Sequence, residues 1–288
     1  MDNDKKYRLY ARVSNARVTD ARVTDASVTD ASVTGTRPTI RSEGHAADYR
    51  GGTHIDAHRH RAHQIVHAAR GVMRVASPQG VWVVPPGRAL WMPAGLTHAI
   101  DCIGDVAMRT VYLGGDHPAF PRGCAVWRLT PFLRELILRL ADNPEPALAA
   151  PALQLLLHEI ETIEAMPLHV PEPTDARLRR ATAHLLSPDG IDAPLDALAR
   201  IAGMSPRSLI RHFRADTGMT LRQWRRQARL LLALEQLGAG ANVSAAAYGA
   251  GYASASAFVH AFGAIFGTTP GRYFRQPTAT QILSPMPR

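Results

Sequence analysis

The sequence has only two cysteines, almost no lysine, and no apolar run long enough to cross a bilayer. Cys102 and Cys124 cannot form a disulfide framework, and without a CxxC partner their spacing does not indicate a zinc site. No window reaches the roughly 18 consecutive apolar residues of a membrane span, and the first residues lack the apolar stretch of a secretion signal. We therefore expect a cytoplasmic protein whose cysteines are small buried side chains.

Acidic residues are scarce in the last third of the chain. The 288 residues carry a formal net charge of +9, and from residue 201 onward ten arginines stand against two acidic residues, Asp216 and Glu235. A positive charge confined to one end is typical of a segment that binds a polyanion, while the rest of the chain has another task. With 46% apolar and 20% charged residues, most of the chain should fold, and its length suggests two domains.

The first half of the chain is predicted to be a disordered extension followed by a β domain. Residues 11–35 are a decaying five-residue repeat, and a period of five places its valines on one face of neither a helix nor a strand. We therefore predict disorder over residues 1–44, and favour an inert repeat expansion over a tether or interaction tail. Short apolar stretches separated by glycine and proline follow over residues 45–116, which is typical of an antiparallel sandwich or barrel.

Helices are predicted from residue 131 onward. Apolar residues recur at helical spacing over 131–141 and 151–164, and these two amphipathic helices lie in a linking region that we place at residues 117–170. Their apolar stripes must be covered, either by a second copy of the chain in a dimer or by their own β domain. Residues 175–275 are predicted to form a helical module, and residues 276–288 a flexible tail.

The start of the helical module predicts two helices joined by a tight turn. Gly203 supplies the turn, and Ser205 caps a second helix whose first residue is a proline. Arg207 and Arg211 are four residues apart and therefore lie on one face of that helix. This is the arrangement of a helix-turn-helix unit, whose second helix enters the major groove of DNA, where arginine pairs with guanine. The side chains of this helix that should point inward are Leu209, Ile210 and Phe213.

The same pattern returns after 48 to 49 residues, with Gly251 as the turn and Ser254 as the cap. Between the two units, Thr220 and Gln223 form a capping box that opens a helix running to Leu237. Such a helix is about 25 Å long, which suits two readers placed near one turn of DNA apart. Without other evidence, arginines along one helix are more often a solvated surface. Here the duplicated helix-turn-helix pattern on both sides of the helix favours contacts with DNA phosphates. These arginines are Arg222, Arg225, Arg226 and Arg229.

Two segments near the end of the chain carry a specific motif. Residues 251–258 read GYASASAF, and residues 266–273 read FGTTPGRY. With the gap-free match over about 177 to 275, they resemble the C-terminal signature of AraC/XylS-type transcriptional regulators. The resemblance implies seven helices whose two units read successive major grooves, the first supplying most of the discrimination because His260 stands where arginine is frequent. The positions that match base readers are Arg207, Ser208 and Arg211 in the first unit and Ala255, Ser256 and His260 in the second.

Histidine is concentrated in the predicted β domain, where six of the thirteen lie between residues 45 and 67. His58, His60 and Gln64, followed by Gly87, Pro93, Gly95 and His98, resemble the two motifs of the cupin barrel. In metal-binding cupins a glutamate stands in place of Gln64, so we expect no cofactor, and His58, His60 and His98 are weak metal candidates. We expect these histidines to serve as barrel framework or to line an effector pocket, with Trp91 more often core than ligand platform. The candidate pocket residues are His58, His60, Gln64, Trp91 and His98.

The two resemblances together imply a multidomain α+β protein. Its parts are an N-terminal cupin-like antiparallel β-barrel (jelly roll), a helical linker and dimerisation segment, and a C-terminal all-α module with two helix-turn-helix units. The implied function is a sequence-specific DNA-binding transcriptional regulator, not an enzyme, modulated by a small-molecule effector or by dimerisation. The expected partners are double-stranded DNA, a second copy of the chain, RNA polymerase and the effector. The alternative is a metal-dependent cupin enzyme, an oxygenase or isomerase, whose helical tail localises it to DNA.

Overall fold

The structure is a computed structural model that describes residues 40–187 and 190–275. The disorder predicted for the repeat at 11–35 and the tail predicted at 276–288 both lie outside the described residues. Within the described residues, an antiparallel β domain with two packed helices precedes a module of seven helices, as the α+β fold class predicts.

Within residues 40–187, the β domain is a sheet of nine strands built on two long ones. β3 and β6 pair along most of their length, and Gly71 (φ 77°) lies at the irregular part of this pairing. β1 and β2 pair with β6, and β4 and β5 pair with β3, so the long strands bridge two groups of short strands. The strands are β1 (Arg41–Tyr49), β2 (His54–His58), β3 (His63–Ser77), β4 (Gly80–Val84), β5 (Arg88–Met92), β6 (His98–Gly114), β7 (Ala125–Arg128), β8 (Ala165–Met166) and β9 (His169–Pro171).

The β domain is wider than the predicted span 45–116. β1 begins at Arg41 and the side chain of Ile40 is buried, so residues 40–44 belong to the sheet and not to the predicted disordered extension. β7, β8 and β9 come from the region predicted as a helical linker, and they extend the sheet beside β5 and β4. Strands of two to four residues are too short to show a period, so no sequence pattern predicts them.

Two helices, α1 (Pro131–Ala141) and α2 (Pro146–Glu161), cover one face of the sheet. The Thr130 hydroxyl accepts a hydrogen bond from the Leu133 N–H at 3.0 Å and so caps α1. The second helix, α2, begins at Pro146, five residues before the predicted start at residue 151. Of the two ways to cover their stripes, the structure shows packing against the chain's own sheet. The cluster comprises Leu133, Leu136, Ile137, Leu140, Leu153, Leu156, Leu157 and Ile160 with Ile65, Trp91 and Val111.

Over its described residues, the C-terminal module has seven helices, the number that the resemblance implies. Its core is aromatic, with Phe213, Trp224, Phe258 and Phe262 all fully buried. None of the helices in the described ranges is both long and apolar enough to cross a membrane. They are α3 (Ala176–Leu185), α4 (Leu195–Ala202), α5 (Pro206–Thr217), α6 (Leu221–Gly238), α7 (Val243–Gly249), α8 (Ala255–Phe266) and α9 (Pro270–Arg275).

The two parts of the chain pack directly on one another, with α6 against β3, β4, β6 and β9. Arg74 of β3 donates from Nε to the Glu235 carboxylate of α6 at 2.8 Å, and their side chains are only 4% and 3% exposed. A Cβ on Gly104 would lie 2.4 Å from the Gly238 carbonyl oxygen, so two backbones approach closely there. The Trp224 indole N–H donates to the Pro171 carbonyl at 2.9 Å. A change in the β domain can therefore act directly on α6.

Candidate functional site

The two predicted reading units share the same local structure. In the first, α4 ends at Gly203 (φ 64°), and the Ser205 side chain accepts a backbone N–H three residues on, at 3.2 Å. In the second, Gly251 (φ 78°) follows α7, and Ser254 caps α8 in the same way at 3.1 Å. Glycine accepts positive φ without strain, and the serine caps satisfy a free N–H at each helix start. The predicted duplication is thus present in the caps as well as in the sequence.

Each reading helix is anchored by two fully buried side chains and presents its opposite face to solvent. Leu209 and Phe213 hold α5, and the Phe213 ring meets the Trp224 ring of α6 edge-on at 6.1 Å between centroids. Phe258 and Phe262 hold α8, with ring centroids 5.8 Å apart. Because these anchors repeat, the outward face of each reading helix is fixed relative to the module's core.

The outward face of α5 contains the predicted readers and two residues that the prediction missed. Arg207 and Arg211 are exposed, while Ser208 is half-buried against the capping Ser205. The inward orientation predicted for Ile210 is wrong, since 47% of this residue is exposed. Ile210 and the exposed Arg214 complete the spacing i, i+3, i+4, i+7 with the two arginines, and that spacing was the signal that could have identified them.

The outward face of α8 differs in chemistry from that of α5. Ser256 and His260 are exposed and Ala255 is half-buried. No arginine lies within α8 itself. This face offers hydrogen-bonding groups and small side chains, but no guanidinium fork for a guanine edge.

The arginine stripe predicted on α6 is divided in the structure. Arg222 and Arg226 are exposed. Arg225 is half-buried and donates from Nη2 to the Ala193 carbonyl at 2.8 Å, and Arg229 pairs with the Asp192 carboxylate. Burial lowers the pKa of Arg225, and the neighbouring Arg229 adds to this shift. Two members of the predicted row, Arg225 and Arg229, thus also bond to the loop before α4, which helical spacing does not reveal.

The β domain brings three of its predicted pocket residues together. His58 at the end of β2 pairs with His98 at the start of β6, and His60 lies in the loop after β2. Their ring centroids are 4.4 to 5.5 Å apart, and one ligand nitrogen from each lies within 4.8 Å of the others. We call these three residues the histidine cluster. Its nitrogens are the kind of donor that a transition metal takes.

Burial shifts the pKa of two residues of the histidine cluster and of a neighbouring tyrosine. It lowers the pKa of His60 to about 4 and that of His98 to about 3, and His58 adds to both shifts. Tyr112 contacts His60 with ring centroids 4.9 Å apart and pairs in register with the buried Gln64. The sequence analysis missed Tyr112, whose pKa burial raises to about 12. Burial therefore favours the uncharged forms of His60, His98 and Tyr112.

Trp91 does not belong to this site. It pairs with Ile65, the residue after Gln64, and successive residues of a strand point to opposite faces. Its indole N–H donates to the Pro121 carbonyl at 3.0 Å, and its ring stacks on Trp127 at 5.4 Å. Of the two roles weighed for Trp91, the structure places it in the core beneath α1 and α2.

Comparison with known proteins identifies both parts of the chain. The family model of an AraC-like ligand binding domain matches residues 39–157, and that of a helix-turn-helix domain matches residues 198–276. The HTH-type transcriptional regulator NimR of Escherichia coli (strain K12) is 30% identical over 237 residues, which are 80% of this chain and 87% of NimR. The HTH-type transcriptional regulator GlxA of Rhizobium meliloti is 41% identical over 93 residues, which are 30% of this chain and 28% of GlxA. The crystal structure of unsaturated fatty acid bound ToxT from Vibrio cholerae covers 84% of this chain and 97% of its own at 10% identity, with a TM-score of 0.35.

Proposed function

Because the chain belongs to the AraC/XylS family of transcriptional regulators, we propose that α5 reads base pairs and that α8 holds the adjacent major groove. The family places a DNA-binding helix-turn-helix domain beside a ligand-binding domain in this chain. The single observation that carries the assignment of roles is the outward face of α5, on which Arg207, Ile210, Arg211 and Arg214 lie in one row. Regulatory relatives are also consistent with a chain that is not an enzyme.

Arg207 and Arg211 are the proposed base readers of the first unit. A guanidinium pairs with the two acceptors of guanine, which contributes about 1–3 kcal/mol of discrimination, and an exposed apolar side chain such as Ile210 suits a thymine methyl group. Ser208 supports the helix start and reaches DNA from a half-buried position. The second unit fixes the position of the protein along the DNA and fits the shape of the duplex, more than it discriminates between base pairs. Its residues for this role are Ala255, Ser256 and His260.

The exposed arginines of α6 are the proposed phosphate contacts. Arg222 and Arg226 are both exposed on this helix, which links the two units. Arginine contacts to phosphates contribute affinity for every sequence alike. Arg225 and Arg229 instead fix α6 to the loop before α4 and so keep the two readers in position.

The β domain is the proposed sensor of a small-molecule effector. Its strands contact α6 through Arg74 and Glu235, and the Tyr273 hydroxyl of α9 donates to the Pro86 carbonyl next to β5. An effector that shifts these strands would also shift α6 and, with it, the reading helices α5 and α8. Coupling between the effector site and the DNA site requires such a link, because the effector must make different contacts in the two states of the protein. We further propose a cytoplasmic homodimer that acts on RNA polymerase at promoters. The apolar side chains left exposed on α1 and α2, which suit such a dimer, are Phe132, Leu148 and Leu155.

Arg211→Ala and Arg226→Ala should separate base reading from phosphate binding. On the best site that the wild-type protein selects from random DNA, Arg211→Ala weakens binding by about 1–3 kcal/mol and relaxes the preference at one base pair. Arg226→Ala weakens specific and scrambled DNA alike and reduces the salt slope by about one. Fluorescence anisotropy titrations on both duplexes measure these effects.

Arg139→Ala is the matched control for both variants, because Arg139 is an exposed arginine on α1, where it pairs with Glu135. It should leave both affinities unchanged. If Arg211→Ala and Arg226→Ala lose the same affinity on selected and scrambled duplexes, the division of roles is wrong.

A further inference from the structure

A cleft of about 500 Å³ lies between α1 and the strands β1, β3 and β6, and its volume is within the range of small-molecule sites. Arg109, which lines the cleft, shares a strand face with Val111, and Val111 packs beneath α1. Tyr112, on the other face of the strand, contacts the histidine cluster. The cleft and the histidine cluster therefore lie on opposite faces of the sheet. We call the cleft the arginine cleft, after the four arginines that line it, Arg70, Arg109, Arg134 and Arg139.

Two of the four arginines pair with carboxylates of the cleft. Nε of Arg139 lies 3.3 Å from the Glu135 carboxylate, and Nη1 of Arg109 lies 2.9 Å from the Asp48 carboxylate. Nη1 of Arg109 also donates to two backbone carbonyls, at 2.8 and 3.4 Å. Nε and Nη2 of Arg109 form no hydrogen bond with another described residue. One edge of this guanidinium, with two parallel N–H groups, is therefore available to a ligand.

The other two arginines of the cleft have no such partner. The side chains of Arg70 and Arg134 form no ion pair or hydrogen bond with another described residue. Arg134 is half-buried on α1, and Arg70 is exposed on β3. The pairing of β3 with β6 is irregular between Ala68 and Arg70, so that Ala69 and Arg70 both line the cleft. The remaining carboxylate of the cleft belongs to Asp142, which is exposed at the end of α1.

A buried histidine lies near two of these guanidiniums. His67, on β3, is fully buried and pairs in register with Arg109. Its Nδ1 donates to the Arg88 carbonyl at 2.7 Å, and its Nε2 has no partner among the described residues. Burial lowers the pKa of His67 to about 4, and the charges of Arg134 and Arg109 contribute to this shift. Because one imidazole is affected by both guanidiniums, the positive charges on α1 and β6 lie close together, which favours an anion in the cleft.

We propose that the arginine cleft binds a small dicarboxylate. A guanidinium holds a carboxylate through two parallel, charge-assisted hydrogen bonds. Arg134 lies on α1, and Arg109 and Arg70 lie on the strands, so that each wall of the cleft offers a cation to one end of a dicarboxylate. The apolar side chains that also line the cleft, such as Ala69 and Leu138, suit the short hydrocarbon chain between the two ends. This apolar surface favours an organic acid over inorganic phosphate.

A ligand in the arginine cleft would act on the DNA-binding module through β3. Arg70 lines the cleft, and Arg74, four residues further along the same strand, pairs with the buried Glu235 of α6. A ligand that moves β3 would therefore move α6 as well. This step rests on the sensor role proposed above for the β domain. Ligand binding itself is measured without DNA, so the two proposals can fail separately.

Isothermal titration calorimetry of the full-length chain with succinate and adipate, at low salt, tests the proposal. The uncharged adipamide and inorganic phosphate are the comparison ligands. We expect saturable binding of the dicarboxylates, no binding of adipamide and weaker binding of phosphate. Arg134→Gln and Arg70→Gln each remove a cation without removing a side-chain hydrogen bond of the described chain, so both should fold. Each should lower the dicarboxylate affinity by about 10–100-fold, the contribution of a hydrogen bond to a charged group.

Arg122→Gln is the matched control, because Arg122 is an exposed arginine of the β domain that does not line the cleft. It should bind the dicarboxylates like the wild-type chain. Equal affinity of Arg134→Gln and Arg122→Gln overturns the proposal. So does a wild-type chain that saturates with neither dicarboxylate, or one that binds phosphate as tightly. If His60→Gln weakens binding and Arg134→Gln does not, the ligand lies at the histidine cluster and the arginine cleft is not its site.

Discussion

Arg74→Leu should lower the free energy of unfolding by about 3–5 kcal/mol, because it removes the guanidinium that pairs with the buried Glu235 carboxylate. The two side chains are almost fully buried, and the guanidinium contacts the carboxylate at 2.8 Å across the interface of the β domain and α6. A buried charge that loses its partner keeps its full desolvation penalty. Urea unfolding, followed by tryptophan fluorescence and circular dichroism, measures the change.

The double variant Arg74→Leu/Glu235→Leu is the control for this effect. It removes both charges and should recover most of the stability, because two apolar side chains replace a buried pair at little net cost. Exposed ion pairs contribute less than about 1 kcal/mol to stability. If Arg74→Leu lowers the free energy of unfolding by no more than that, the interface between the β domain and α6 is not packed as described. The single variant Arg74→Leu should also uncouple the β domain from the helical module, which would appear as separate unfolding transitions.

Binding of the full chain to DNA should weaken by about 10³–10⁵ between 50 and 200 mM salt. Neutralising six to ten phosphates releases their counterions, which gives a slope of about −5 to −9 in a plot of log affinity against log salt concentration. The exposed arginines on α5 and α6 are Arg207, Arg211, Arg214, Arg222 and Arg226. Anisotropy titrations at four or more salt concentrations measure the slope.

Two comparisons sharpen the salt experiment. Arg222→Ala should make the slope about one unit shallower, because one phosphate contact is lost. Arg139→Ala, in α1, should leave it unchanged. A flat salt dependence would show that the outward arginines do not meet phosphates.

The helix-turn-helix units could be predicted because their signals are local. The turn glycines, the serine caps and the capping box of α6 each act within a few residues of chain, and the structure has them where the sequence places them. The faces of those helices were less predictable. A helical pattern gives the spacing of side chains but not the position of the neighbouring chain. For this reason Ile210 was wrongly turned inward, and the bond of Arg225 to the loop before α4 could not be foreseen.

The β domain shows the same limit for strands. The histidine cluster could be anticipated from His58, His60 and His98, but the rest of the site depends on strand register. A shift of one residue moves a side chain to the other face, which is why Trp91 lies in the core while Tyr112 reaches the cluster. The pair of Arg74 and Glu235 lies 161 residues apart in sequence and follows no period, so only the folded chain reveals it.

We propose that α5 and α8, joined by α6, read neighbouring major grooves of one DNA site. Methylation interference on the selected site, with the full chain at low ionic strength, is the sharpest test of this arrangement. We expect two patches of interference on one face of the duplex, centred about 10 base pairs apart. Arg211→Ala should weaken only the patch read by α5. A single patch, or no binding to any fragment at low salt, would show that the two helices do not read one site.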